Sequence, residues 1–393
     1  MITVVHVITM LELGGAQENT LHTVANLDRS RFRVALVYGP GGLLDARLPE
    51  LADRTTLVAL PHLVREIDPR TDAACFSDLR ATFWRLQAEH WQREHDKHAF
   101  IVHTHSSKAG ILGRTAAKAA EVSKIVHTIH GFGFHEGQHP LKQALFVNAE
   151  RAAGRITDAF IGVSRANLTE AAAKGIIRPG QRTELIRSGM DLGAVRRAER
   201  LRTATREALG FDPEDEVILA ITNMKPQKDP VTMIRAMRML AERRPRAVLL
   251  MAGDGELRPD VEREIARGQL EGRVRLLGWR HDIPELLAAS DLVALSSIFE
   301  GLPRAAVLAV AARRPFVGTA VDGTPEIIKD GKNGYLVPPR NPAALAQAMA
   351  KALVTRPIDP ADEVAIRAWD ADLMVRQQEA LYLSLVGARS SEI

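Results

Sequence analysis

The carboxylate of Glu300 stands between an apolar run, residues 292–295, and a stretch of helix-forming residues, 305–312. This order predicts a strand, a tight turn and a helix, with the carboxylate at the carboxyl end of the strand, facing a crevice. The free backbone amides of the first helical turn attract anions, so a diphosphate could bind there. The alternative is an ordinary strand-to-helix turn in which the carboxylate only favours the helix dipole. The turn consists of Gly301, Leu302 and Pro303.

Two lysines occupy a similar position after an earlier apolar run. Lys225 and Lys228 directly follow residues 217–222, which are aliphatic and β-branched and therefore predict a strand. Ammonium groups at a strand end can neutralise the charge that grows on phosphate when a nucleoside diphosphate leaves. The alternative is a pair of solvated surface lysines. After the next predicted strand, Gly253 begins a Gly-Asp-Gly turn.

The amino-terminal half carries candidates of its own at strand ends. Gly14 and Gly15 follow the first predicted strand, residues 2–9, and open a helix. Glycine lets a backbone approach a phosphate at such a place, although many strand-to-helix turns use glycine for packing alone. His130 ends another predicted strand and could donate a hydrogen bond to a sugar hydroxyl. A structural histidine is the alternative.

The histidine pattern does not favour a metal site. His103 and His105 alternate along one predicted strand, so they share a face, but no acidic or cysteine residue stands near them. We therefore predict that the protein holds no metal ion.

Taken together, these motifs resemble those of the retaining glycosyltransferases of family 4, and the resemblance extends from about residue 4 to residue 353. It implies the GT-B fold, an α/β architecture of two Rossmann-like domains whose parallel sheets face each other across an interdomain cleft. The strand–helix alternation along the chain agrees with parallel sheets. The domains are expected at 1–192, which would bind the acceptor, and at 214–362, which would bind the nucleotide-sugar. We also expect a linker at 193–213 and a helix within 363–393 that crosses back to the first domain.

The resemblance also implies roles for the candidate residues. Glu300 would hold the donor sugar, Lys228 would stabilise the leaving phosphate with help from Lys225, and His130 would orient the sugar. No cofactor is implied, because the nucleotide-sugar is itself a substrate. Further contacts to the donor are expected from Gly14, Gly15, Gly253, Trp279, Arg280, Gly301, Leu302, Pro303 and the position of Leu308.

One position departs from the family's pattern of two glutamates separated by seven residues. Counting from Glu300, the second glutamate is replaced by Leu308, and only Asp322 and Glu326 are acidic between residues 304 and 329. The second carboxylate usually holds the ribose hydroxyls of the donor. The resemblance thus implies that this contact is missing here.

The composition indicates the type of protein and its expected cellular location. A chain of 393 residues with 46% hydrophobic and 25% charged residues predicts a globular protein of more than one domain. Its single cysteine cannot form an intrachain disulfide. The start of the chain lacks a basic segment typical of signal peptides, and no apolar run is long enough to span a membrane. We expect a cytoplasmic protein.

Contact with a membrane surface remains an alternative for the amino-terminal half. Basic residues exceed acidic ones by four within residues 1–190, which fits anionic lipid, a phosphate-bearing acceptor or only a solvated basic face. The predicted helix at 77–95 carries Trp84 and Trp91 among arginines, and core packing competes with lipid contact there. An apolar loop could hold a polyprenyl tail or close as a lid; it contains Phe132, Phe134, His135, Pro140 and Leu141. Nucleic acid is not an expected partner, since only 5% of the residues are aromatic and no zinc-finger spacing occurs.

These inferences predict a metal-independent transferase acting at the inner face of the cell membrane or free in the cytoplasm. It would move a sugar from a uridine-linked donor to a glycan or polyprenyl-linked hydroxyl, with retention of configuration, in exopolysaccharide or lipid-linked glycan assembly. Two alternatives remain open. One is a sugar-nucleotide epimerase with the same fold, and the other is a degenerate nucleotide-sugar-binding subunit, suggested by Leu308.

Overall fold

The computed structural model describes residues 1–133, 139–359 and 362–387. Strands and α-helices alternate along these segments. The strands are β1 Ile2–Met10, β2 Phe32–Gly39, β3 Thr56–Ala59, β4 Phe100–His105, β5 Lys124–Ile129, β6 Ala159–Gly162, β7 Arg182–Leu185, β8 Glu216–Ile221, β9 Ala247–Ala252, β10 Val274–Gly278, β11 Leu292–Ala294, β12 Phe316–Thr319 and β13 Gly334–Val337.

The helices cover both faces of the sheets. The α-helices are α1 Gly15–Asn26, α2 Pro69–Glu94, α3 Ser107–Ala119, α4 Pro140–Gly154, α5 Arg165–Ala173, α6 Leu192–Ala198, α7 Arg202–Ala208, α8 Pro230–Ala241, α9 Arg258–Gly268, α10 Ile283–Ala289, α11 Arg304–Ala311, α12 Thr324–Ile327, α13 Pro342–Thr355, α14 Asp362–Ala365 and α15 Ala371–Leu385. Short 3-10 helices occupy Leu43–Leu51, Lys97–Ala99, Glu199–Leu201, Pro226–Lys228 and Ile366–Trp369.

The chain divides into two compact units, Met1–Gly189 together with the segment that begins at Ala371, and Met190–Asp370. The first unit contains a parallel sheet of order β3-β2-β1-β4-β5-β6-β7. The second contains a parallel sheet of order β10-β9-β8-β11-β12-β13. The predicted α/β architecture of two Rossmann-like domains is confirmed.

Burial on both faces explains why the strands are nearly continuous apolar runs. In the first sheet, one core lies under α1 and α15, with Leu21 and Leu381 among its members. A second core, on the other face, contains Phe83 of α2 and Ala116 of α3. Such two-sided burial is typical of parallel sheets whose crossover connections are helices.

The direction of chain progression reverses at one place in each sheet. In the first it lies between β1 and β4, and in the second between β8 and β11. At such a switch point the loops that follow the two strands diverge to opposite sides and leave a crevice at the carboxyl ends. Ligands of open α/β sheets bind there, so the loops after these four strands are the candidate ligand-binding loops.

Two segments differ from the sequence expectation. The expected linker at 193–213 is largely helical and belongs to the second unit, where Arg202 and Arg206 bond to Asp291. The helix expected near the carboxyl terminus is interrupted: Asp370 is extended, and the carbonyl of Trp369 accepts a hydrogen bond from the amide of Met190. The interruption coincides with the passage of the chain from the second unit back to the first.

Within the described residues, no helix is both long and apolar enough to cross a membrane.

Candidate functional site

Lys228 and Glu300 form an ion pair at the switch point of the second sheet. The Nζ atom of Lys228 lies 2.5 Å from Oε1 of Glu300. Lys228 ends the 3-10 helix that follows β8, and Glu300 follows β11, the neighbouring strand. The side chains are only 18% and 6% exposed, respectively. Charges so shielded from water interact with a ligand more strongly than charges on an open surface.

Hydrogen bonds hold together the two loops that carry this pair. The amide of Ile298 donates to the carbonyl of Gln227 over 2.8 Å, and the side-chain amide of Gln227 donates to the carbonyl of Phe299 over 2.9 Å. The hydroxyl of Ser296 donates to the carbonyl of Lys228 over 2.9 Å. These bonds fix the separation of the cation and the carboxylate, although the two are far apart in sequence.

Two further groups fix Glu300 itself. The hydroxyl of Ser297 donates to Oε1 of Glu300 over 2.6 Å, and the amide of Glu300 donates to a carboxylate oxygen of Asp322 over 2.5 Å. Asp322 has a φ of 42°, in the left-handed region that aspartate tolerates better than most residues. Sequence analysis noted Asp322 only as one of two acidic residues after Glu300 and missed its bond to Glu300, because nothing in the local pattern shows which backbone amide a distant carboxylate contacts.

Gly253 is required by close packing of backbone segments. Its φ is 136°, and a Cβ atom there would lie 2.0 Å from the carbonyl oxygen of Thr222. Its amide donates to the carbonyl of Gly278 over 2.7 Å. The glycine thus lets the turn after β9 support the segment after β8, which leads to Lys228. Its expected contact with the donor stays a prediction.

The other candidates of the second unit lie in the loops that follow the strands. Trp279, directly after β10, is 42% exposed, and Arg280 forms an ion pair with Asp282. Lys225 is the N-cap residue of the 3-10 helix that ends at Lys228. Gly301 and Leu302 lead to Pro303, which is the N-cap residue of α11. Leu302 is buried. Their roles in donor binding stay predictions.

Gly14 and Gly15 lie at the start of α1, directly after β1. Gly14 has a φ of −179°, an extended conformation that any residue can adopt. A Cβ atom there would meet only the side-chain oxygen of Gln17, at 2.7 Å. The extended backbone therefore does not require a glycine here, and the expected contact of Gly14 and Gly15 with the donor stays a prediction.

His130 follows β5 and is joined by a hydrogen bond to the buried His105, which is joined by another to the buried His6. Its Nε2 atom lies 3.2 Å from Nδ1 of His105, and Nε2 of His105 lies 3.0 Å from Nδ1 of His6. His6 belongs to β1 and His105 to β4, the strands that flank the switch point of the first sheet. Sequence analysis missed His6, since a histidine within an apolar first strand carries no motif.

A second set of hydrogen bonds surrounds His103. Its Nδ1 lies 2.6 Å from the hydroxyl of Tyr382, and its Nε2 lies 2.7 Å from the hydroxyl of Thr128. Tyr382 in turn donates to Oε1 of Gln378 over 3.1 Å. Because the tyrosine proton is used in that bond, His103 donates from Nδ1 to the tyrosine oxygen and accepts at Nε2 from Thr128. Both ring nitrogens of His103 are therefore engaged.

Burial keeps these histidines neutral. It lowers the pKa of His6 from 6.5 to about 3, and the nearby guanidinium of Arg29 adds to the shift. Burial likewise holds the pKa of His103 and of His105 well below 6.5, with smaller contributions from neighbouring histidines. Neutral imidazoles can serve as hydrogen-bonding groups or as metal ligands.

His6, His103 and His105 offer ligand atoms that lie within 4.8 Å of one another. Their geometry is nevertheless that of hydrogen bonds. The rings of His6 and His105 are 14° from parallel, with centroids 5.3 Å apart and nitrogens 3.0 Å apart, so the two nitrogens face each other along the line of centroids. Two ligands of one tetrahedral ion would instead converge at an angle. The expectation of no metal stays a prediction.

Comparison with known proteins decides the family. Residues 14–189 match the model of the glycosyl transferase 4-like domain, and residues 215–354 match that of the glycosyl transferases group 1. The UDP-Gal:alpha-D-GlcNAc-diphosphoundecaprenol alpha-1,3-galactosyltransferase of Escherichia coli is 30% identical over 339 residues, which are 86% of this chain and 84% of that protein. The chain belongs to the family 4 glycosyltransferases. The resemblance stated from the sequence is confirmed.

A further relative agrees with this assignment, and solved structures agree with the fold. A D-inositol 3-phosphate glycosyltransferase of a Mycobacterium strain is 28% identical to this glycosyltransferase over 266 residues, 64% of the chain and 58% of the relative. The crystal structure of Anabaena Alr3699/HepE in complex with UDP and glucose matches the fold with a TM-score of 0.78 at 22% identity, covering 98% of this chain and 100% of that one. Sucrose-phosphate synthase from Thermosynechococcus elongatus matches with a TM-score of 0.79 at 18% identity, covering 99% and 100%.

Leu308 lies within α11 of this glycosyltransferase and is half-buried. The residues beside it in the helix, Val307 and Ala309, are buried and apolar. A leucine has no polar atom with which to bond a ribose hydroxyl. The structure therefore shows no polar group at the position of the family's second glutamate, and the side chain of Leu308 is partly exposed to solvent.

Proposed function

We propose that this glycosyltransferase moves a hexosyl or N-acetylhexosaminyl group from a UDP-sugar to a hydroxyl of a lipid-linked glycan, with retention of configuration. The observation that carries the proposal is the shielded pair of Lys228 and Glu300, 2.5 Å apart at a sheet's switch point. The names of the relatives support the substrate classes. The E. coli relative is named for UDP-galactose and a diphosphoundecaprenol acceptor, and the Anabaena structure contains UDP and glucose.

The lysines would stabilise the negative charge on the departing diphosphate. As the bond between the sugar and the phosphate breaks, negative charge grows on the phosphate, and a fixed cation stabilises that charge more than it stabilises the bound substrate. Lys228 would supply this cation, with Lys225 near it in the same loop. Glu300 would accept hydrogen bonds from the sugar hydroxyls, and Asp322 would hold its backbone in place.

His130 would orient the donor sugar through a hydrogen bond. The acceptor's proton would pass to the departing phosphate, which would take the place of the acid/base carboxylate of a retaining glycosidase. Gly14, Gly15, Gly253, Trp279 and Arg280 would complete the contacts to phosphates and base. These assignments rest on the family's pattern and on the positions of the residues after the strands.

The acceptor lipid would meet the apolar side of α4. Leu141 and Leu145 are 76% and 69% exposed and lie one helical turn apart. This helix follows β5 and His130, after a gap at 134–138; the predicted loop residues Phe134 and His135 lie outside the described residues. On α2, Trp84 and Trp91 are about half exposed, and the guanidinium of Arg80 lies 4.7 Å from the ring of Trp84. Exposed tryptophans among arginines suit contact with an anionic membrane surface.

The experiment that tests the proposal pairs donors with acceptors. A panel of UDP- and GDP-sugars is first screened for thermal stabilisation, since a ligand that binds the folded state raises its stability. Each stabilising donor is then incubated with synthetic polyprenyl-diphosphate GlcNAc and with free GlcNAc. We expect transfer to the lipid-linked acceptor, with an α-linked product from an α-linked donor. Inversion of the anomer would reject the retaining mechanism, and conversion of the donor to an epimer without acceptor would reject transfer.

Chelators are expected to leave the activity unchanged. Lys228, paired with Glu300, would supply the positive charge toward the departing diphosphate that a divalent ion supplies in other enzymes. The test compares initial rates before and after prolonged dialysis against EDTA, with the metal content of the protein measured by mass spectrometry. Loss of activity that manganese or magnesium restores would contradict the proposal.

Replacing Leu308 by glutamate is expected to tighten binding of the UDP-sugar about tenfold or more. Hydrogen bonds to a charged group are worth about 1.5 to 3 kcal/mol, and about 1.4 kcal/mol corresponds to a tenfold change in affinity. The half-buried position leaves the new carboxylate access to solvent. The measurement is calorimetric titration of both forms with the UDP-sugar and with its 2′-deoxyribose analogue.

The matched control is Leu308→Gln, which offers a neutral acceptor and should gain less than the carboxylate. Both gains should shrink with the 2′-deoxy donor, which keeps only the 3′-hydroxyl for the new side chain to bond. If the unmodified protein already discriminates strongly against the 2′-deoxy donor, another residue contacts the ribose. That residue then replaces the contact that Leu308 cannot make.

A further inference from the structure

The histidines His6, His105 and His130 form a continuous row, which we call the histidine row. It begins on β1, crosses β4 and ends after β5. His6 and His105 are buried, and His130 is half-buried. The centroids of His105 and His130 are 5.5 Å apart and their facing nitrogens 3.2 Å. As for His6 and His105, the facing nitrogens therefore lie along the line between the rings, as in a hydrogen bond.

Each neutral imidazole has one N–H and one accepting nitrogen. Along a row of such rings the protons must therefore all point the same way, because every bond needs one donor and one acceptor. Two arrangements exist, one in which His6 donates to His105 and His105 to His130, and the reverse. The tautomer of His130 is thus coupled to that of His6, two rings away.

The buried end of the row selects between the arrangements. Nε2 of His6 is buried and has no hydrogen-bond partner among the described residues. In the reverse arrangement this nitrogen would carry a proton, leaving a buried donor without an acceptor. Buried donors without a partner are rarer in proteins than under-used acceptors. The arrangement in which His6 donates to His105 places the proton of His6 on Nδ1 and leaves only the lone pair of its Nε2 unused.

The neighbouring histidine does not interfere with this choice. Both nitrogens of His103 are bonded to hydroxyls, at 2.6 Å to Tyr382 and at 2.7 Å to Thr128. His103 therefore has no nitrogen left with which to satisfy Nε2 of His6. The row and the bonds of His103 are two separate networks on one face of the sheet.

We propose that His6 and His105 are positioning residues that fix His130 in the tautomer protonated at Nδ1. His105 donates from Nδ1 to Nε2 of His130, so the proton of His130 resides on the nitrogen that faces away from the row. This inference rests on the proposed role of His130 in orienting the donor sugar. In that role His130 presents an N–H donor to a sugar oxygen, and it does not act as a base through that nitrogen.

The tautomer can be measured directly on the unmodified protein. Ring nitrogens of ¹⁵N-histidine-labelled protein report which nitrogen carries the proton, and a His130→Gln variant assigns the signals of His130. We expect protonation at Nδ1, with and without UDP. Protonation of His130 at Nε2 in the unmodified protein would overturn the proposal, whatever the activity.

Two substitutions of His105 separate positioning from packing. His105→Asn retains a side-chain amide that can donate toward His130, whereas His105→Leu retains none, and both lose the bond to His6. We expect His105→Leu to release His130 to the other tautomer and to lower kcat/KM about threefold to tenfold, the worth of one hydrogen bond. His105→Asn should keep the Nδ1 proton and most of the activity. Equal tautomer populations and equal losses in both variants would show that His105 acts only in packing.

Failure of the inference is distinguishable from failure of the proposed function. His130→Ala tests the role of His130 in transfer from the UDP-sugar. If the tautomer behaves as expected and His130→Ala leaves kcat/KM unchanged, the histidine row stands, and the role of His130 at the sugar is rejected. If His130→Ala lowers kcat/KM and His130 is protonated at Nε2, the role stands and the row is rejected.

Discussion

Replacing Lys228 by alanine is expected to lower kcat of the glycosyltransferase about 100- to 1,000-fold at saturating donor, the usual loss for one fixed group that stabilises transition-state charge. The lysine is 18% exposed and lies 2.5 Å from Glu300, so water replaces its charge poorly. The substitution also leaves the carboxylate of Glu300 without its cation, which costs about 1 to 3 kcal/mol of folding stability. Turnover and urea unfolding are therefore measured together.

The matched control is Arg246→Ala, directly before β9, which removes a cation from an exposed ion pair with Glu214. Exposed pairs contribute at most about 1 kcal/mol, so turnover should stay near that of the unmodified enzyme. A double-mutant cycle with Glu300→Gln separates two explanations. If Lys228→Ala has no further effect once Glu300 is glutamine, the lysine serves only Glu300 and does not stabilise the departing phosphate.

Ligand-binding residues of open parallel sheets follow the carboxyl ends of the strands, and this rule explains how much of the site the sequence could predict. Apolar runs in the chain indicated the strands, and polar residues just after them had to gather at one edge of a parallel sheet. Lys228 and Glu300 meet for this reason. The prediction needed no knowledge of side-chain contacts, only of where each strand ends.

The contacts that fix the site were beyond such reasoning. Asp322 bonds to the amide of Glu300 and Gln227 bonds to the carbonyl of Phe299, at distances set by the packing of loops from separate strands. No period or local motif records those pairings. The interruption at Asp370 was likewise invisible, because it depends on the carbonyl of Trp369 meeting the amide of Met190.

The distribution of histidines predicts which unit is sensitive to acid. Burial lowers the pKa of His6 to about 3, and it holds the pKa of His103, His105 and His127 well below 6.5. Each of these groups is neutral in the fold and binds a proton when the chain unfolds near pH 6. Their contribution is complete above about pH 6.5 and is lost as the pH falls toward the folded pKa, because the unfolded state then binds more protons.

The first unit is therefore expected to lose stability steeply below pH 6.5. Between pH 6.5 and 5.5 each histidine removes about 1 kcal/mol, because its unfolded form is only half protonated at the start of this window, so four together remove about 4 kcal/mol. That loss is comparable with the whole stability of many domains, about 5 to 15 kcal/mol. Hydrogen exchange in increasing urea, followed by mass spectrometry at pH 7.5, 6.5 and 5.5, reports the opening free energy of each unit separately.

The second unit serves as the internal control for this measurement. Twelve of the thirteen histidines precede residue 140, and His281 is the one in the second unit. Burial of neutral histidine cannot make that unit acid-sensitive in this pH range, so its opening free energy should change little between pH 7.5 and 5.5. Equal losses in both units would assign the acid sensitivity to carboxylates or net charge, and an unchanged first unit would show that its buried histidines accept protons within the fold.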